Sequence, residues 1–181
     1  ITPKIIYMDI KEYIFYNNVI QQYSNILDIN KEEFNVLKNF NLKKIDNNPF
    51  SGGITSDVNI FKNKRLNRIK EVFDSIAKDY LNNTVGIDHD LQLTNSWFTI
   101  NKKNQFHTQH DHKNVFLSLC YYPNIESGDL YFHWPYTPIS QGFNFHYNII
   151  KKTIMNDYRL YIKIKKNDLL IFPGWLQHGT T

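Results

Sequence analysis

The chain has 181 residues, 41% of them apolar and 15% aromatic, which excludes a disordered or fibrous polypeptide and allows one domain with a sizeable core. Formal net charge is +4 and the pI is near 9.0, but the lysines are scattered and form no long basic tract, so a solvated face is expected rather than a nucleic-acid partner. No apolar run reaches the roughly 20 residues of a membrane span, and the single cysteine, Cys120 in "LSLCYY", excludes an internal disulfide and points to a core position in a reducing, cytoplasmic compartment.

In chain order, "EYIFYNNVIQQYSNIL" and "NKEEFNVLKNF" read as helices broken near Asp28 to Asn30. The "PFSGGITSD" segment carries two glycines and punctuates the chain. "NKRLNRIKEVFDSIAKDYL" is the clearest helix, because Leu66, Ile69, Val72, Phe73, Ile76, Tyr80 and Leu81 recur on one face with charges opposite. Near residue 90 the pattern turns to short β-runs: "LQLTNSWFTIN", "VFLSLCYY", "DLYFHW", "FNFHYNII", "RLYIKIK" and "DLLIFP". Turn-like stretches such as "PNIESGD" and "KKND" separate them, a spacing that predicts a sandwich or barrel. The expectation is therefore one α+β domain over residues 1–181, with a helical support region to about residue 90 and a β-core from about 91 onward.

Within the β-region, "FHTQHDH" at 106–112 concentrates three histidines and an aspartate. Side chains alternate along a strand, so His110 and His112 share a face about 6.7 Å apart at Cα, close enough for two imidazoles to reach one ion. His107 and Asp111 take the other face but lie roughly 13 Å apart on an extended strand. A third ligand must come from elsewhere, and His178 in "DLLIFPGWLQHGT" is the best placed, after an apolar strand and a Pro-Gly turn. His89, His133 and His146 have weaker contexts. Any one histidine alone is better read as a surface or hydrogen-bonded residue; the three together fit a transition-metal site.

The stretches "SWFTINKKNQFHTQHDHKNVFLSLCYYPN", "SGDLYF" and "DLLIFPGWLQH" resemble the Fe(II)/2-oxoglutarate-dependent oxygenases of phage and bacterial genomes. These belong to the double-stranded β-helix (jelly-roll) superfamily that includes the prolyl hydroxylases. The resemblance covers roughly residues 95 to 181. It implies a jelly-roll core with the N-terminal helices packed on one sheet, and Fe(II) bound at His110, His112 and His178. It also implies 2-oxoglutarate as cosubstrate, O2 as oxidant, and hydroxylation of a small-molecule or peptide substrate in a bacterial or phage-infected cell. Where His112 stands most of the superfamily has Asp or Glu, so either three imidazoles hold the iron or the strand bulges and Asp111 coordinates instead. Tyr122 is similar to the tyrosine that meets the cosubstrate's far carboxylate, though it also fits a packed strand tyrosine, and Asn101 could orient the cosubstrate. The family's basic residue is expected within about ten residues after the distal histidine. The sequence ends at Thr181, so a last strand beyond it is expected; the alternatives are that Arg159 or a lysine on another strand substitutes, or that 2-oxoglutarate is not bound. Trp97 and Trp175 are expected to pack.

Two other functions compete. A cupin-like metalloprotein, a dioxygenase or isomerase without 2-oxoglutarate, also uses H-x-H and a later "P-x-G-x-x-H"-like segment, which "PGWLQH" approaches; the glutamate usual after H-x-H is missing from "KNVFLSL". A non-catalytic binding protein on the same scaffold is the third, since fold does not fix function. A homodimer is the default oligomer.

Overall fold

The computed structural model describes residues 9–15, 18–44, 53–56, 59–134, 148–153 and 156–181. Its first elements correct the helical expectation. Residues expected as helix form a hairpin of β1 (Ile10–Phe15) and β2 (Asn18–Tyr23), in antiparallel register from Ile10 opposite Tyr23 to Phe15 opposite Asn18. The strand β2 is almost wholly buried, with Ile20 packed on one side of its sheet and Tyr23 on the other. A strand buried on both faces shows no polar alternation, so periodicity cannot separate it from a buried helix. Its Val, Ile and Tyr content was the available signal.

The two other helical expectations hold. Helix α1 (Lys31–Lys38) begins at a capping box: Asn30 Oδ1 accepts from the Glu33 N–H at 2.9 Å, and Glu33 Oε2 accepts from the Asn30 N–H at 2.9 Å. Helix α2 (Asn67–Asp79) runs into a π-helical turn at Tyr80–Val85 and stops at Gly86, whose φ of 80° is open to glycine without strain. Its predicted face is the buried one, with Leu66, Ile69, Ile76, Tyr80 and Leu81 all at most 4% exposed.

The helices are joined by Glu33, which is 2% exposed and takes two hydrogen bonds from Arg68, from Nε at 2.8 Å and from Nη2 at 2.6 Å. Burial alone would raise the Glu33 pKa, but the Arg68 and Asn30 bonds outweigh it and hold the carboxyl below its ordinary value. That stability is present at neutral pH and lost as pH falls through the lowered pKa. Glu33→Ala removes the reciprocal half of the capping box and the carboxylate partner of the Arg68 guanidinium, and is expected to cost about 3 kcal/mol in urea unfolding at pH 7, with a smaller difference at acid pH.

Three antiparallel sheets follow. A small one comprises β3 (Leu42–Lys44), β4 (Ile54–Ser56) and β5 (Thr99–Ile100) in that order. Only these last two residues of the expected "LQLTNSWFTIN" run are a strand. The remaining strands are β6 (Leu117–Tyr122), β7 (Asp129–His133), β8 (Arg159–Lys163), β9 (Asp168–Pro173) and β10 (His178–Thr180). They complete sheets of order β1-β2-β9-β6 and β10-β7-β8. The β-hairpin before residue 90 is thus part of the larger sheet, not a helical support for it. Of the expected "FNFHYNII" strand, residues 143–147, His146 included, lie outside the described residues, and 148–150 are not in a strand.

Alternation assigns the faces. Ile20, Leu170 and Phe172 of one sheet meet Leu130, Phe132 and Ile162 of the other in a common core, with the Phe132 and Phe172 rings 4.9 Å apart edge to face. Each such fully buried side chain contributes about 1.5–3 kcal/mol. The opposite face of β9, through Leu169 and Ile171, packs with Tyr23, Ile76 and Tyr80. Both faces of β9 are therefore dry, which explains its unbroken "DLLIF" run. The architecture is α+β, with antiparallel sheets face to face and a helix on the outer side of the larger one. Among the described residues no helix is long and apolar enough to cross a membrane.

Candidate metal centre

Residues 106–112 do not form the regular strand expected of them. His110 instead makes one antiparallel bridge with His178, each residue's N–H donating to the other's carbonyl at 2.9 Å. The same two segments are tied again on either side, by the His112 N–H to the Gly174 carbonyl at 2.9 Å and the Thr180 N–H to the His107 carbonyl at 3.1 Å. These ties bring together residues 68 positions apart in sequence.

The three imidazoles converge. One ligating nitrogen from each of His110, His112 and His178 lies within 4.8 Å of the others, and the ring centroids are 4.4 Å apart for His110–His178 and 5.1 Å for the other two pairs. Asp111 is not in the group. The tautomers are also fixed: Nδ1 of His110 lies 2.8 Å from the Thr108 carbonyl, and Nδ1 of His178 lies 2.8 Å from the Leu176 carbonyl. A carbonyl can only accept, so each Nδ1 carries the proton and each Nε2 keeps its lone pair for a metal.

Burial sets the charge state. His178 is 3% exposed between the rings of Phe172 and Phe132, and desolvation drives its pKa down to about 3 against the partial opposition of the Leu176 carbonyl, with the neighbouring histidines adding to the fall. Desolvation likewise lowers His112, helped by His110 and opposed by Asp111. Imidazoles converging this closely could hold one metal ion, and burial of His112 and His178 favours the neutral form that binds metal. A histidine with a lowered folded pKa contributes stability above the unfolded pKa, near 6.5, and loses it as pH falls toward about 3. Metal-free protein should lose stability between pH 7 and pH 5, and His178→Leu should flatten that slope in urea titrations. An unchanged slope would show the ring is not held neutral.

Residues 95–181 match a family model described as "Putative 2OG-Fe(II) oxygenase". The match spans 87 of the 181 residues, just under half of the chain, and over that region the chain is similar to this family. No curated protein and no solved structure matches the chain. The matched region contains all three converging histidines and strands β5 to β10.

The structure does not bring the expected cosubstrate residues to the histidines. Tyr122 does face the space between the sheets, with Cys120. It pairs with Asp168, however, whereas Phe172, which touches His178, pairs with Ser118; four residues of strand separate these levels, roughly 13 Å. Asn101 is exposed beyond β5, with its Oδ1 beside Gly53. Arg159 is opposite His133, in the same register class as Tyr131 and Tyr161, and so lies on the outer face of its sheet, turned away from the core.

Other residues take roles that sequence reasoning missed. Trp97, expected to pack, is 44% exposed with its ring edge-on to His112 at 5.6 Å. Trp175 is also more than half exposed and donates from Nε1 to Asn18 Oδ1 at 3.3 Å. His107 is half-buried beside His110 at 6.3 Å, outside the ligand group. His133 is held on the outer face by Gln109 and Gln177. Gly174 permits the close approach of residues 112–116, and its Pro-Gly context was the only signal of this in the sequence.

Proposed function

We propose that the chain is an Fe(II)- and 2-oxoglutarate-dependent oxygenase that hydroxylates a substrate C–H bond, with His110, His112 and His178 as the metal ligands. The observation that carries this reading is the convergence of three imidazoles within the family-matched region, with the tautomers of His110 and His178 fixed by backbone carbonyls. Fe(II) bound with 2-oxoglutarate and O2 would supply the oxidant for that hydroxylation. The chain's own contribution is to favour neutral His112 and His178 by burial, to orient His110 and His178 through backbone carbonyls, to keep water from the His178 side through Phe132 and Phe172, and to leave the His112 side open beside Trp97. The double-stranded β-helix is the finer architecture we assign. The order from His110 through β10, β7 and β8, facing β2, β9 and β6, supports it.

Specific observations favour a second reading, a cupin-like three-histidine centre that does not use 2-oxoglutarate. The ligand set contains no carboxylate. No Arg or Lys is among the buried residues described, while the hydroxyls of Ser118 and Tyr122 lie on the inward face of β6. Anaerobic titration separates the two. Fe(II) followed by 2-oxoglutarate should give a weak visible charge-transfer band and thermal stabilisation specific to 2-oxoglutarate. Stabilisation by the metal with no response to 2-oxoglutarate would install the second reading.

A further inference from the structure

We propose that the outer face of the β10-β7-β8 sheet is a platform for single-stranded nucleic acid. Leu130, Phe132 and Ile162 point into the core, so Asp129, Tyr131, His133, Arg159, Tyr161 and Lys163, at the alternate positions of the register, form the outer face. On it the Arg159 guanidinium lies 4.9 Å from the centroid of the Tyr131 ring and 5.5 Å from that of Tyr158. Its Nη1 reaches the Tyr161 hydroxyl at 3.4 Å, and its Nε is buried with no hydrogen-bond partner. Tyr158 and Tyr161 are 45% and 41% exposed, so each presents part of an aromatic surface to solvent beside a fixed cation.

On this face Lys163 stands opposite Asp129 in the register, and Arg159 stands opposite the uncharged residue His133, so the cations outnumber the carboxylates at these register positions. Asp157 is taken by Lys152 at 3.4 Å and by the Arg159 backbone N–H at 3.1 Å. Among the described residues no carboxylate lies within ion-pair distance of Arg159 or Lys163. Half-exposed rings with cations between them match a ligand that alternates flat π-faces with negative charges. Single-stranded nucleic acid has that chemistry, because its bases are free to stack and its phosphates meet the Arg and Lys side chains. A duplex hides its base faces, and an acidic peptide leaves the rings unused. The surface escapes a scan for basic runs because its cations come from alternate positions of a strand and not from a contiguous tract. The inference is independent of the reaction at the metal centre, although both use the sheet that carries His178.

The test is fluorescence anisotropy of the full chain with a fluorescein-labelled thymidine oligonucleotide of about 20 nucleotides, long enough to span the site sizes such proteins use. The oligonucleotide should bind, with affinity falling as salt rises, and should be preferred over a duplex of the same length and over polyglutamate. Tyr158→Ala and Tyr161→Ala should each weaken binding about tenfold, within the range for losing one base stack. The corresponding Phe variants should bind as the parent does, because the ring is what stacks. Arg159→Gln should weaken binding and lower the salt slope by about one. Retained Co(II) binding at the histidines reports that each variant is folded; a variant that loses it is replaced by the Tyr→Leu or Arg→Lys form. Absence of oligonucleotide binding at low salt, equal binding of polyglutamate, or Ala variants that bind like the parent would each overturn the proposal.

Discussion

Co(II) titrated into His178→Ala protein is expected to give no tetrahedral or five-coordinate visible band, with metal affinity reduced at least roughly 100-fold, since even partners that only orient a ligand are worth 10–100-fold. Of the three converging histidines, His178 has the least freedom. It is buried between two phenylalanines, its Nδ1 is bound to the Leu176 carbonyl, and its backbone is bridged to His110. Removing its imidazole leaves two ligands that cannot close a site in water. The substitution also leaves an apolar void, so a modest stability loss is expected alongside. His133→Ala is the control, because His133 is on the outer side of the same strand pair and is hydrogen-bonded to Gln109 and Gln177, away from the triad. Similar metal affinities for the two variants would contradict the assignment of His178.

Gly174→Ala is expected to be the most damaging single-methyl change in the β-core. A Cβ at this position would lie 2.3 Å from the Val115 carbonyl oxygen and 2.9 Å from its carbon. Both obstacles are backbone, so no rotamer change relieves them. The backbone in question is the strap that carries His112: the His112 N–H donates to the Gly174 carbonyl at 2.9 Å, and the Gly174 N–H donates to the Phe116 carbonyl at 3.0 Å. Lifting the strap breaks these bonds and moves His112 from the other two rings. A loss of about 3 kcal/mol is expected, roughly 6–12 °C in Tm for a chain of this size, together with weakened Co(II) binding. Gly86→Ala makes the contrast, since nothing lies within 4 Å of its added Cβ and only the φ of +80° is strained; about 1 kcal/mol and no change in metal binding are expected there. Equal effects of the two substitutions would show that the strap is not fixed by close contact.

The sequence by itself determined the parts of this protein whose signal is local. The face of α2 from Leu66 to Leu81 is periodic and is the face that is buried. The runs at 117–122, 129–133, 159–163 and 168–173 are bounded by turns and are strands. The H-x-H pair with a distal histidine was legible because imidazoles at that spacing have few other common purposes, and the family match covers them all.

Only the tertiary structure decided the rest, and the reason is that distance in space is not written in sequence order. The stretch 12–23 reads as helix because β2 is covered on one face by the β10-β7-β8 sheet and on the other by Ile76 and Tyr80, so it lacks the polar alternation that marks a strand. His112, rather than Asp111, joins the metal group because backbone bonds to Gly174 and His178 set which way residues 110–112 turn. Arg159 sits on the outer face because its register is fixed by Leu160 and Ile162 packing inward. Trp97 meets His112 across a loop whose path no propensity records. In each case a long-range contact, paid for in loop-closure entropy and repaid by burial and backbone pairing, overrode or completed what the local residues prefer.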